Sequence, residues 1–179
     1  MKDWNVVVSI YQDGFRRALR ALKEFGPAER SPYHNVIVMR VDEPIALLEA
    51  VERKTEESTA LYDAISRVAP ALRALEFHSA EEFTEKIKPI LLDWAPRLRG
   101  SSFHVRLHRR GDLHDLRTPE AERWFDEVLV DATAAAGAPG KISFTDPDAV
   151  IAIDTVDDRA GVGLWTRNDL ARHRLLRPD

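Results

Sequence analysis

Short apolar runs rich in β-branched residues alternate along this chain with stretches whose apolar residues recur every three or four positions, and that repeated change of period confines it to strands interleaved with helices. WNVVVSIYQ (residues 4–12) reads as a buried strand ending at the turn signal Asp13-Gly14. Phe15, Leu19, Leu22 and Phe25 then follow at helical spacing, stopped by Gly26-Pro27. YHNVIVMRV (residues 33–41) is a second strand, after which Asp42 is expected to cap a helix carrying Pro44 in its first turn. The helical pattern continues through Ile45, Leu48 and Val51, then Leu61, Ile65 and Val68 as far as Pro70, with polar residues 55–59 dividing it. ALRALEF (residues 71–77) completes β-α-β-α-β.

In the second half, Ser79 followed by Glu82 forms a capping box, in which the serine oxygen accepts an early backbone N–H and the glutamate reaches back. Phe83, Ile87, Ile90, Leu91 and Trp94 make the apolar stripe of that helix, with Pro89 as a kink and Gly100 as the stop. Strict alternation in SSFHVRLHRRG (residues 101–111) sends Phe103, Val105 and Leu107 to one face of a strand and His104, Arg106, His108 and Arg110 to the other. Thr118 and Pro119 open a helix holding Trp124, Val128 and Leu129. Strand segments follow at residues 141–144 and 150–156, and a turn at residues 157–161 leads into VGLWTR, with Trp165 assigned to the core. This half reads α-β-α-β-β, without repeats or low-complexity tracts.

Several classes of chemistry are excluded. The chain of 179 residues has no cysteine, which removes disulfides, thiolate nucleophiles and thiolate metal sites. No run of 18 apolar residues spans a bilayer and the N-terminus lacks a signal core, so the expected location is the cytoplasm, away from any membrane. No P-loop or dinucleotide fingerprint is present, and Gly161-Val162-Gly163 precedes a strand instead of a helix. His104 and His108 stand four apart, which on a strand separates them by roughly 13 Å, too far to share a metal. Asp146 and Asp148 flank a proline as turn formers. No catalytic residue, metal or cofactor is expected, and the chain is not expected to be an enzyme.

A net charge of -4 hides an uneven distribution. Arg97, Arg99, Arg106, Arg109, Arg110 and Arg117 face only Asp112 and Asp115 within residues 97–117, and residues 159–179 are basic as well. Acidic residues gather on helices, at Glu49, Glu52, Glu56 and Glu57 and at Glu120, Glu122, Asp126 and Glu127, as solvated surface. Arginine's planar fork grips phosphate oxygens two at a time. Arg97, Arg99, Arg106, His108, Arg109, Arg110, Arg117 and Arg167 are therefore the candidate RNA-binding residues, against the alternative that they are ordinary solvated or paired side chains.

SFHVRLHRRG, LRTPEAERWFDEVLV, and KISFTDPDAVIAIDTV with VGLWTR, in that order over about residues 79–167, resemble the THUMP domain. The first half looks like the ferredoxin-like module that precedes THUMP, and DAISRVAPALRALEF is similar to a stretch of stand-alone THUMP proteins that assist tRNA cytidine acetylation. The resemblance implies an α/β (α+β) chain with a ferredoxin-like module at residues 1–78, then a THUMP domain (α-α-β-α-β-β) with a short C-terminal tail at residues 79–179. It also implies binding of RNA, tRNA above all. Because only NDLARHRLLRPD follows Arg167, the expected role is a non-catalytic adaptor presenting RNA to a separate modifying enzyme. The alternative is a protein–protein interaction module of this fold that does not bind RNA.

Overall fold

The computed structural model describes residues 1–178 and divides the chain into two compact units. Residues 1–72 and 169–177 form the first, residues 73–168 and Pro178 the second.

In the first unit the elements run β1 (Val6–Ile10), α1 (Phe15–Leu22), β2 (Ala28–Arg30), β3 (Val36–Met39), α2 (Pro44–Glu57), the single turn α3 (Thr59–Tyr62) and β4 (Ile65–Pro70). The sheet order is β2-β3-β1-β4, and every pair is antiparallel. This is the β-α-β-β-α-β arrangement of a ferredoxin-like fold. Val6, Val7 and Val8 are all buried, as befits a central strand with both edges paired. Gly14 opens α1 so close to Ala64 that a Cβ there would lie 2.6 Å from the alanine Cβ.

Three local expectations are corrected. Residues 65–70 are strand, because Ile65 and Val68, although three apart as on a helix, sit in a segment that pairs along β1. Asp42 does not cap α2, whose N-cap is Glu43 with no side-chain cap bond. The run ALRALEF supplies β5 (Arg73–Glu76), which pairs with the last strand of the second unit, so the expected boundary after His78 falls inside that unit.

The C-terminal residues expected to trail the second half return to the first unit instead. Leu175 and Leu176 are buried, and Glu52 accepts from the backbone N–H of Leu175 at 3.0 Å. The Arg67 Nε–H donates to the Arg177 carbonyl at 2.6 Å, while the Arg174 guanidinium lies 4.1 Å above the Tyr62 ring.

The second unit continues with α4 (Ala80–Trp94), a 3-10 turn (Ala95–Leu98), β6 (Ser102–His108), α5 (Thr118–Ala135), β7 (Lys141–Ile142), β8 (Ala149–Val156) and β9 (Arg159–Thr166), followed by α6 (Arg167–Arg172). Its sheet order is β5-β9-β8-β6-β7, with β6 parallel to both β7 and β8 and the other pairs antiparallel. The capping box forms: Ser79 Oγ accepts from the Glu82 N–H at 3.0 Å, and Glu82 accepts from the His78 N–H at 3.0 Å.

One sheet face supplies Phe103, Val105, Leu107, Ile151, Ile153, Val162 and Leu164 to a core shared with Phe83, Ile87, Leu91, Phe125 and Leu129 of α4 and α5. Phe83 packs edge-on against Phe77 and Phe125, at centroid distances of 5.0 and 5.9 Å. Each phenylalanine buried this completely contributes roughly 1.5–3 kcal/mol. Trp165 is buried as expected, its ring lying over Gly163, where any side chain would collide with it. The architecture is α+β, the class expected.

Candidate nucleic-acid interface

β6 organises the site. Its core-facing residues are Phe103, Val105 and Leu107, as the alternation requires. The opposite face is more covered than its polarity suggests. His104 is only 1% exposed, with Nδ1 bonded to the Ser143 carbonyl at 2.9 Å and its ring 5.3 Å from that of Phe144. Its Nε2 is buried without a hydrogen-bond partner among the described residues. His108 is half-buried and bonds through Nε2 to the Pro178 carbonyl at 2.6 Å.

Strand geometry divides the candidate arginines between the two ends of β6. Arg97 and Arg99 precede the strand, and Arg167 joins them because β9 runs antiparallel to β8, which brings Thr166 level with Ala149 and Phe103. Arg109, Arg110 and Arg117 follow the other end. A seven-residue strand separates the two groups by about 20 Å.

The side chains also differ in what holds them. Arg97 is exposed and makes no ion pair or hydrogen bond among the described residues. Arg99 is exposed, with one long contact to the Ala136 carbonyl at 3.4 Å. Arg109 is pinned through Nη1 to the carbonyls of Leu113 and Leu116 at 2.8 and 2.6 Å, which orients its charge without neutralising it. Arg117 is exposed and 3.7 Å from Glu120, a weak surface pair. Arg106 approaches Glu122 at 3.8 Å. Arg110 pairs at 3.1 Å with the buried Asp154.

Arg167 spans Asp146 and Asp148, 3.1 Å from a carboxylate oxygen of each. Asp148 in turn accepts from the Ser102 N–H at 2.8 Å and the Ser102 hydroxyl at 3.1 Å. The two Ser102 donors, backbone first, together with Arg167 hold the Asp148 carboxyl below its ordinary range. The loop between β7 and β8 is thereby tied to the start of β6.

Lys141 adds a cation that the sequence reading did not select. It is exposed, pairs with Ser102 in the β6–β7 register, and belongs to the segment whose Ala138 carbonyl accepts from the Gly100 N–H at 2.9 Å. Arg97 and Arg99, on the approach to β6, and Lys141, which opens β7, thus stand at one sheet end.

Two carboxylates expected on the solvated surface are structural. β7 pairs with β6 only at Ser102 and Phe103, and farther along that edge Asp126 and Glu122 accept from the N–H groups of Val105 and Leu107, both at 2.8 Å. Burial pushes the Asp126 carboxyl up to about 7, opposed by the Val105 N–H and reinforced by the neighbouring Glu122. Among the described residues no three His, Cys, Asp or Glu side chains stand together to hold a metal, and no helix is long and apolar enough to cross a membrane.

No protein-family model and no curated protein sequence matches the chain. Its fold does match solved structures. PH1313 from Pyrococcus horikoshii OT3 is 15% identical with a TM-score of 0.63, over 89% of this chain and 53% of that one. A 4-thiouridine synthetase in complex with RNA and ATP is 14% identical with a TM-score of 0.55, over 92% of this chain and 42% of that one. A "possible methylase" from Clostridium difficile 630 is 12% identical with a TM-score of 0.56, over 90% and 40%. The chain spans about half the length of these proteins or less. The expectation that it is not an enzyme is corrected here: nearly the whole of its fold recurs in a 4-thiouridine synthetase and in a protein described as a "possible methylase", so the absence of a catalytic motif in the sequence does not exclude it from catalysis.

Proposed function

We propose that this chain binds structured RNA, tRNA in particular, in the cytoplasm, and serves as the RNA-recognising part of an RNA-modifying system. The observation that carries the reading is the match of 92% of the chain to a synthetase solved with RNA. Charge distribution supports it. Arg97, Arg99 and Lys141 form an exposed cationic group with no carboxylate partner among the described residues, and Arg167 lies beside them, held by Asp146 and Asp148. At the far end of β6, Arg109 and Arg117 present a second group beside the paired Arg110, with Arg106 and His108 on the strand between. Two groups about 20 Å apart suit a sugar–phosphate chain laid along the sheet. A modifying enzyme that receives the bound RNA is the partner this arrangement serves.

The test is binding of unmodified bulk tRNA at low and moderate salt, with Arg97→Ala/Arg99→Ala and Arg109→Ala/Arg117→Ala compared with the unaltered chain. Binding that weakens with salt and with at least one double substitution is the expected result. No binding at either salt, or binding indifferent to both substitutions, overturns it.

A further inference from the structure

The outer side of α5 carries a feature that RNA binding does not use. A groove of about 490 Å³ lies between α5 and the β7 segment, with Val130, Ile142 and Phe144 as its apolar wall. Phe144 is 66% exposed, more than any other large apolar side chain among the described residues, and Ile142 is 37% exposed. Phe144 is nonetheless not loose. Its ring rests against the buried His104 ring, and His104 holds the preceding residue through the Ser143 carbonyl at 2.9 Å. An exposed aromatic held in place is a preformed anchor, because little side-chain entropy remains to be lost when something packs on it.

The charge around this wall selects the occupant. Glu122, Asp126, Glu127 and Asp131 line the groove against the single cation Arg123. Glu122 and Asp126 are engaged with β6 backbone N–H groups, whereas Glu127 and Asp131 are exposed and make no ion pair or hydrogen bond among the described residues. A phosphate backbone is repelled by such a rim, and a cationic chain is drawn to it. We propose that this groove docks a short basic segment of a partner protein, one aliphatic or aromatic side chain entering between Val130, Ile142 and Phe144 while flanking Lys or Arg residues reach Glu127 and Asp131. The proposal is independent of the RNA reading, since it uses none of the candidate RNA contacts.

The experiment uses the full chain and a fluorescein-labelled peptide of about eight residues alternating Lys and Leu, with Glu-Leu and Lys-Gly peptides as controls. Fluorescence anisotropy gives affinity, and amide chemical shifts locate the contact. The expected result is binding of the Lys-Leu peptide about tenfold tighter than either control. Its shifts should centre on Val130, Ile142 and Phe144, and affinity should fall roughly tenfold for Phe144→Ala and for Glu127→Gln/Asp131→Asn. Equal binding by a control peptide, shifts centred elsewhere, or unchanged affinity in both variants overturns the proposal. So does tRNA that shifts Phe144 and displaces the peptide, which would assign the groove to RNA. The three substituted side chains are largely exposed, and tRNA binding by the same variants separates failure of this proposal from failure of the RNA reading.

Discussion

Val105 donates its backbone N–H to Oδ1 of Asp126 at 2.8 Å, across a sheet edge that β7 leaves unpaired beyond Phe103. A carboxylate on a helix thus does what a neighbouring strand would do, and it does so while 6% exposed. An orphaned backbone N–H at this place is costly, and so is a buried charge. The raised affinity of Asp126 for its proton expresses the second cost.

The consequence is a pH dependence of definite sign. The folded chain holds the Asp126 proton up to about pH 7, the unfolded chain only to about 3.8, so between those values the native state binds more protons. Stability from this group therefore falls as pH rises through that window, by at most about 1.4 kcal/mol per unit, and levels off above it. Asp126→Asn retains an oxygen for the Val105 N–H and carries no charge. Urea unfolding at pH 5 and pH 8 is expected to show the variant gaining on the unaltered chain at pH 8. An identical difference at both pH values would contradict the assignment.

Arg110 and Arg97 are expected to part company when each is replaced. Arg110→Ala removes one partner of the Asp154 carboxylate, which is 3% exposed, and is expected to cost roughly 2 to 3 kcal/mol, at or below the low end for breaking a buried pair because the arginine keeps some water contact. Arg97→Ala removes an exposed side chain with no partner among the described residues and is expected to change stability by no more than about 0.5 kcal/mol. Urea titrations read both. If tRNA affinity drops in Arg97→Ala, the loss then belongs to the interface and not to folding.

The same contrast marks how far the sequence could be read. Period 2 in SFHVRLH assigned the core face of β6 correctly, because alternation follows from backbone geometry alone. Which arginines stay available is not periodic information. It depends on Asp154 and Asp148 arriving from another strand and loop, at sequence separations the pattern does not encode. Residues 65–70 misled for a related reason, since a strand buried along most of its length loses the alternation that distinguishes it from a helix. Asp126 and Glu122 were indistinguishable from other acids of α5 until the short length of β7 exposed the edge they cover.

The Arg167 clamp is expected to set the order of the β7–β8 loop. Arg167→Ala releases Asp146 and leaves Asp148, among the described residues, only its Ser102 donors, so amide exchange across residues 143–148 should accelerate while β8 stays protected. Because the Asp148 pKa is depressed on folding, its contribution is present above the unfolded value near 3.8 and is lost as pH falls through the lower folded value. Asp148→Asn should therefore flatten the acid limb of the stability profile below about pH 4. An unchanged acid limb would place the clamp's effect elsewhere.

Glu52 fastens the returning C-terminal segment with both oxygens, one accepting from the Leu175 N–H at 3.0 Å and the other paired with His173 Nδ1 at 2.8 Å. Glu52→Ala removes both acceptors at once and leaves the segment to the burial of Leu175 and Leu176 and to the contacts that Arg174 makes with Thr55 and Tyr62 and Arg177 with Arg67 and Tyr11. Those two leucines resist, since each buried aliphatic side chain contributes roughly 1.5–3 kcal/mol. The expected outcome is local opening without global unfolding. Hydrogen exchange of the amides at residues 173–176 should rise by an order of magnitude or more, with the exchange of β1 and β3 unchanged. Exchange that rises equally in β1 would show that the segment is part of one cooperative unit with the sheet, and exchange that does not rise at all would show that the remaining contacts, not Glu52, hold it down.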